Sequence, residues 1–125
     1  MVSKQLLPLV FAGGAIGTSI RYSIELLAGN LPQGQIIVTS FVNLLGAALL
    51  GFVSVHKFFV GPKQQSFWGV GLLGGFTTMS GLAVITASAE LGLSDLGATY
   101  WLVVLMQLLI GVAAYRLGLI VAGKR

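Results

Sequence analysis

The amino-acid sequence predicts an all-α integral membrane fold: one domain, residues 1–125, of four transmembrane helices with the third broken near its centre. Two observations carry that expectation. Of 125 residues, 56% are hydrophobic and only 8% are charged, and the mean hydropathy is +0.97, whereas soluble domains carry about a quarter charged residues. A chain this short has much surface for its volume, and its few charges would not cover that surface in water. The apolar residues also fall in runs of about 20, the length that crosses the hydrocarbon core of a bilayer.

The first run covers residues 5–28. Only Arg21 and Glu25 interrupt it, and it leads into further apolar segments, so it reads as a membrane helix and not as a cleaved signal peptide. GNLPQGQ, 29–35, is a turn-rich connection. The second span is 36–56, followed by KFFVGPKQQS, 57–66, with Gly61-Pro62 as its turn. The third span, 67–90, places GLLGGFTTMSG at the bilayer centre. Two readings stand there. The segment unwinds locally, with its freed backbone groups satisfied by protein or water, or it is a continuous helix whose glycines permit close packing. The broken helix is the expectation. LGLSDLG, 91–97, precedes the last span, 98–122, and no repeat or soluble domain is visible.

The net charge of +4 is spread over Lys4, Arg21, Lys57, Lys63, Arg116, Lys124 and Arg125. They lie mostly at the ends of apolar runs and form no patch, which points to membrane lipid as their partner and away from nucleic acid. Four spans bring Lys4, Lys57, Lys63, Lys124 and Arg125 to one face, leaving Asp95, with Glu25 and Glu90 nearby, on the other. The positive-inside rule then puts both termini in the cytoplasm of a multi-pass cell-membrane protein. Tyr22, Trp68, Tyr100 and Trp101 fall near segment ends, where an aromatic belt would lie. Cysteine is absent, which removes disulfide and thiolate-metal chemistry. His56, the one histidine, has no clustered ligands and reads as interfacial. There is no Ser–His–acid set, paired-carboxylate site or phosphate loop, so an enzyme is not expected, nor an organic cofactor.

The candidate functional residues are polar groups inside apolar runs. Arg21 and Glu25, four apart, share a helix face where pairing lowers the cost of both charges. Arg21 reads equally as an interfacial anchor and as a positive charge at an anion vestibule. Asn43 lies in mid-helix with Thr39, Ser40 and Gly46 close to its face, a polar track or an interhelical glue. Gly74, Gly75, Thr77, Thr78 and Ser80 form the densest cluster, where an interruption frees carbonyls for a cation and amides and hydroxyls for an anion. Gln107 and Arg116 in the last span also need partners.

Three segments carry a family resemblance. GGAIGTSIRYS, 13–23, resembles the first-helix signature GGxxGxxxRY of the CrcB/Fluc fluoride-channel family. GQIIVTSFVNLLGAALLGF, 34–52, is similar to its second-helix pattern G-T-L-x-V-N-x-x-G-x-x-x-x-G, with extra spacing before Asn43, and GLLGGFTTMSGL, 71–82, to the third-helix GxxGGxTTFSTF. The resemblance implies an antiparallel dimer with two fluoride pathways along the interface and a central structural sodium ion. It implies that Asn43 points into a pore, that Ser80 belongs to the polar pore track, and that Arg21 shapes a vestibule. It implies that Gly74 and Thr77 offer backbone carbonyls to sodium.

The departures from the family pattern are specific. Met79 and Leu82 stand where the family has phenylalanines, and Gly81 where it has threonine. Neither side chain has the positive ring edge that a phenylalanine turns toward a dehydrated anion. In the fourth helix Tyr100, Val104 and Leu108 give no clear match to the family's Tyr and Ser track. The one-sided loop charge also suits a fixed orientation better than dual insertion. The expected partner is therefore an inverted, related subunit in a heterodimer, and the expected activity is passive fluoride export. Two alternatives stand beside it: a non-conducting structural or regulatory subunit, and a small dimeric multidrug-type transporter, disfavoured because no central carboxylate is visible.

Overall fold

The computed structural model describes residues 3–28, 30–31, 34–88 and 97–123. Glu90, Asp95, Lys124 and Arg125 lie outside that set. All regular structure among the described residues is helical. A 3-10 turn, Lys4–Leu6, leads into α1, Leu7–Ala28, whose Pro8 sits in the first turn, where a missing N–H costs nothing. α2 spans Gly34–Val55. α3 is one helical run over 62–76: α-helical at Pro62–Gln64, a π-helix over Gln65–Leu73, and α-helical again at Gly74–Phe76. α4 is Met79–Ser88 and α5 is Gly97–Gly123.

Several boundaries correct the sequence reading. α2 begins at Gly34 instead of 36 and ends at Val55. The third segment starts at Pro62 and not at 67, because extended Gly61 caps it and Pro62 supplies a preset first helical position. α5 runs one residue further at each end than 98–122. The sustained π-helix was not foreseen. Such turns are rare and usually mark functional segments, and here the Gly74 N–H reaches back to the Gly69 carbonyl.

Glycine contacts set the helix directions. A Cβ on Gly71 would lie 2.7 Å from the Val10 carbonyl oxygen, and one on Gly75 would lie 2.5 Å from that of Gly14. α1 and α3 thus run in parallel with backbones nearly touching, an approach only small residues allow. α2 and α5 are parallel too: Ser40 meets Gln107, and further along Gly51 abuts the Tyr115 carbonyl while Gly118 abuts that of Ala48. Between α1 and α2 the chain reverses through Leu31 N–H to Ala28 O, 3.0 Å, and Gly34 N–H to Leu31 O, 2.9 Å. This alternation gathers Lys4, Lys57 and Lys63 at one end of the bundle.

The interior is small, centred on Val38, Val42 and Phe76 with Ile24 and Ala28 packed against them. Most large apolar side chains face outward, among them Phe11, 79% exposed, and Leu27, 84% exposed. Among the described residues three stretches are long and apolar enough to cross a membrane: Gly34–Val55, Pro62–Val84 and Trp101–Gly123. α1 equals α2 in length at 22 residues but carries Arg21 and Glu25 in its second half. Outward leucine, isoleucine and valine are the side chains lipid solvates.

Candidate functional site

The third span breaks at Thr77, which turns extended with φ −82° and ψ 153°, and the helix resumes at Met79. The interruption occupies Thr77 and Thr78 alone, narrower than the 71–81 stretch the sequence suggested. Gly71, Gly74, Gly75 and Gly81 all remain helical, because Gly71 and Gly75 are used for the close approach to α1. Both sequence readings are thus realised, a few residues apart.

Side chains from two neighbouring helices satisfy three of the backbone groups at the break. Thr78 is buried, so its peptide groups need partners. Asn43 supplies both: the Thr78 N–H donates to Asn43 Oδ1 at 2.8 Å, and Asn43 Nδ2 donates to the Thr78 carbonyl at 3.0 Å. Thr78 in turn caps α4, its Oγ1 accepting from the Gly81 N–H at 3.0 Å and lying 3.1 Å from Ser80 Oγ. From α1, Thr18 Oγ1 and Arg21 Nε donate to the Gly75 carbonyl at 3.3 and 3.4 Å. Arg21 Nη1 also holds Glu25 Oε1 at 2.9 Å, the ion pair their spacing predicts. Thr77 N–H and Oγ1 both return to the Leu73 carbonyl at 3.0 Å. The carbonyls of Gly74 and Thr77 border the same break.

Two clefts flank the break. The larger, about 650 Å³, is lined by Arg21, Glu25, Thr39, Thr78 and Ser80, among others. The smaller, about 320 Å³, is lined by Asn43, Thr77, Met79, Leu82, Gln107 and Tyr115, among others. The residues grouped as one track in the sequence are therefore divided: Arg21, Thr39 and Ser80 lie on one side, and Asn43, Met79 and Leu82 on the other. The α2 face carrying Thr39, Ser40, Asn43 and Gly46 meets different neighbours along its length. Thr39 lines the larger cleft, Ser40 meets Gln107, Asn43 clamps Thr78, and Gly46 lies against Thr77 Cγ2. Met79 is exposed and Leu82 is buried.

The sequence reading did not place Thr18 or Gln107 at the site. Gln107 was noted only as needing a partner, and a lone carboxamide amid apolar residues was the available signal. His56 stacks on Phe52 with ring centroids 4.8 Å apart, and its Nδ1 accepts from the Phe58 N–H. Among the described residues no three His, Cys, Asp or Glu side chains converge on a metal position.

An apolar helical bundle whose third segment is interrupted, pinned by a neighbour's amide and flanked by two clefts, defines a helical membrane protein. Comparison with known proteins specifies which kind. The chain belongs to the family described as CrcB-like protein, Camphor Resistance (CrcB), whose model matches residues 8–119. It is 35% identical to the fluoride-specific ion channel FluC of Hyphomonas neptunium over 121 residues, 93% of this chain and 94% of that protein. It is 33% identical to the fluoride-specific ion channel FluC 2 of Corynebacterium jeikeium, across 91% of this chain and 73% of the relative. With the corresponding channel of a Caulobacter species it shares 40% identity across 63% of this chain and 66% of the relative. No solved structure matches the chain.

Proposed function

We propose that this chain is a fluoride-channel subunit that lets fluoride leave the cell passively. The observation that carries the reading is its alignment, along most of both chains, with relatives named as fluoride-specific ion channels. The site gives that reading a physical basis. Fluoride is small and strongly hydrated, so passage requires fixed hydrogen-bond donors that replace its water. The Asn43 amide and the Ser80 and Thr78 hydroxyls line clefts on either side of a rigidly held break. A negative-inside membrane potential drives the anion outward with no coupled reaction, and no part of the role is enzymatic.

In this reading α1 is the fourth span, its Arg21 and Glu25 charges matched to each other, and both termini are cytoplasmic. Arg21 faces the larger cleft, a vestibule in this scheme, while its Nε steadies the Gly75 carbonyl. The carbonyls of Gly74 and Thr77, at the break, are the oxygen type that suits a hard cation such as sodium. Gly74 also looks onto open space, where a Cβ would meet nothing within 4 Å. Two carbonyls make only part of a coordination shell, so an inverted second subunit would complete it on a central twofold axis. When bound, the ion would supply a fixed positive charge that raises the local potential for an anion.

Loop charge favours a heterodimer with an inverted relative over a dual-topology homodimer. Lys57 and Lys63 sit at one bundle end, a bias that fixes orientation. Met79 and Leu82, without aromatic ring edges, favour a second reading in which this chain is the non-conducting half of such a pair. A multidrug-type carrier is disfavoured because Glu25, the one acid among the described residues, is committed to Arg21. Liposomes containing this chain alone, or with a family member of reversed loop charge, separate these cases. Fluoride efflux only with the partner is expected. Robust efflux from the single chain would remove the obligate heterodimer, and no efflux from either would remove the channel.

A further inference from the structure

We propose that Gln107 is a second anion donor, acting with Asn43 in the smaller cleft to replace the water around a dehydrated fluoride. The proposal rests on the fluoride reading and names a residue that reading does not use. Gln107 is only 9% exposed, in the apolar helix α5, and it lines the cleft together with Asn43. A carboxamide has two N–H donors and one carbonyl acceptor. Among the described residues the one hydrogen-bond partner of Gln107 is Ser40 Oγ.

The donor count follows from these contacts. In Asn43 the orientation of the amide is fixed, because its carbonyl must face the Thr78 N–H and its nitrogen the Thr78 carbonyl. One Asn43 N–H is left over. Gln107 has two orientations open to it, since a serine hydroxyl both donates and accepts. If the amide nitrogen faces Ser40, one N–H remains; if the carbonyl does, both remain. At least two amide hydrogens, one from each residue, are thus not taken up by these contacts, and both residues line the same cleft of about 320 Å³. The same cleft holds Met79 and Leu82, which offer an anion no donor. Hydrogen bonds to a charged partner are roughly twice as strong as neutral ones, so two amides on facing helices make a binding position out of an otherwise apolar wall. A purely adhesive role would explain the Ser40 bond but would leave the rest of a buried carboxamide unsatisfied beside a cavity.

The test pairs two variants in liposomes holding whichever assembly conducts. Gln107→Met keeps the side-chain length and removes the donors; Ser40→Ala removes the interhelical bond and keeps the carboxamide. Fluoride efflux should fall about tenfold or more in Gln107→Met and stay within about threefold of wild type in Ser40→Ala. Equal losses in both variants, or no loss in Gln107→Met, would overturn the proposal. A direct readout covers a misfolded variant: in chain labelled with ¹⁵N-glutamine, sodium fluoride should shift the Gln107 side-chain resonance and sodium chloride should not. An unmoved resonance would defeat the proposal even with conduction intact. A fluoride-specific shift in an assembly that conducts nothing would keep the site and defeat the channel reading.

Discussion

Replacing Asn43 by alanine removes both hydrogen bonds that hold Thr78, at 2.8 and 3.0 Å. Each is worth about 1 kcal/mol net, and a buried peptide group left unsatisfied costs a further 1–3 kcal/mol or so. Thr78 is 8% exposed, so water does not readily take the place of the lost amide. A combined cost of about 3 kcal/mol is expected, roughly two orders of magnitude in the opening equilibrium of the segment. The loss should be local, since Asn43 is not among the packed core side chains. Hydrogen exchange followed by mass spectrometry in nanodiscs reads this directly. The Thr78 amide in Asn43→Ala should exchange about a hundredfold faster while mid-α2 amides keep their protection, and fluoride flux should fall with assembly retained. Asn43→Asp sharpens the test. A protonated carboxylic acid has one donor and one acceptor and can keep both contacts, whereas the carboxylate only accepts. The contact to the Thr78 carbonyl should therefore hold at low pH and be lost as the acid ionises, while the carboxylate still accepts from the Thr78 N–H, so Thr78 protection should fall by less than in Asn43→Ala. Unchanged exchange at Thr78 in Asn43→Ala would refute the clamp.

Gly75→Val should destabilise the bundle by about 1–3 kcal/mol, because its Cβ would press on the Gly14 backbone at 2.5–3.0 Å, whereas Gly74→Ala, facing open space, should leave the melting temperature in detergent nearly unchanged. Arg21→Leu should lower stability, and a double-mutant cycle with Glu25→Leu should give a coupling energy of about 0.5–1 kcal/mol, the value for a partly exposed pair, with independent effects arguing against the ion pair. Single-cysteine accessibility should place Lys4→Cys and Lys63→Cys on the cytoplasmic side together; labelling from opposite sides would break the alternating helix order.

Three of the four expected spans were legible because lipid solvation demands long apolar runs whatever the contacts between them. The break was legible because glycine and hydroxyl residues are expensive at mid-bilayer without a use, and the Arg21–Glu25 pair because four-residue spacing places both on one face. Two things lay beyond the pattern. Where both the interior and the surroundings are apolar, the hydrophobic periodicity that tells a buried face from an exposed one fades. The sequence therefore did not show that Ser80 and Asn43 line different clefts, or that Gln107 turns inward. Nor does residue type reveal that the Asn43 amide is bound mainly to a peptide group: the same carboxamide, free to point into a pore, would read identically. The π-helix over Gln65–Leu73 likewise has no signal in the hydrophobic pattern; it packs against α1 and α2, where Gln65 Nε2 reaches the Val53 carbonyl at 2.8 Å.

The most direct test of the central claim is the reversal potential of current through the reconstituted assembly in a planar bilayer. With fluoride gradients imposed against a constant chloride and proton background, the current should reverse at the fluoride equilibrium potential and stay there when chloride or pH is changed on one side. A reversal potential that follows chloride or protons, or a bilayer that passes no fluoride current with either subunit composition, would contradict the account.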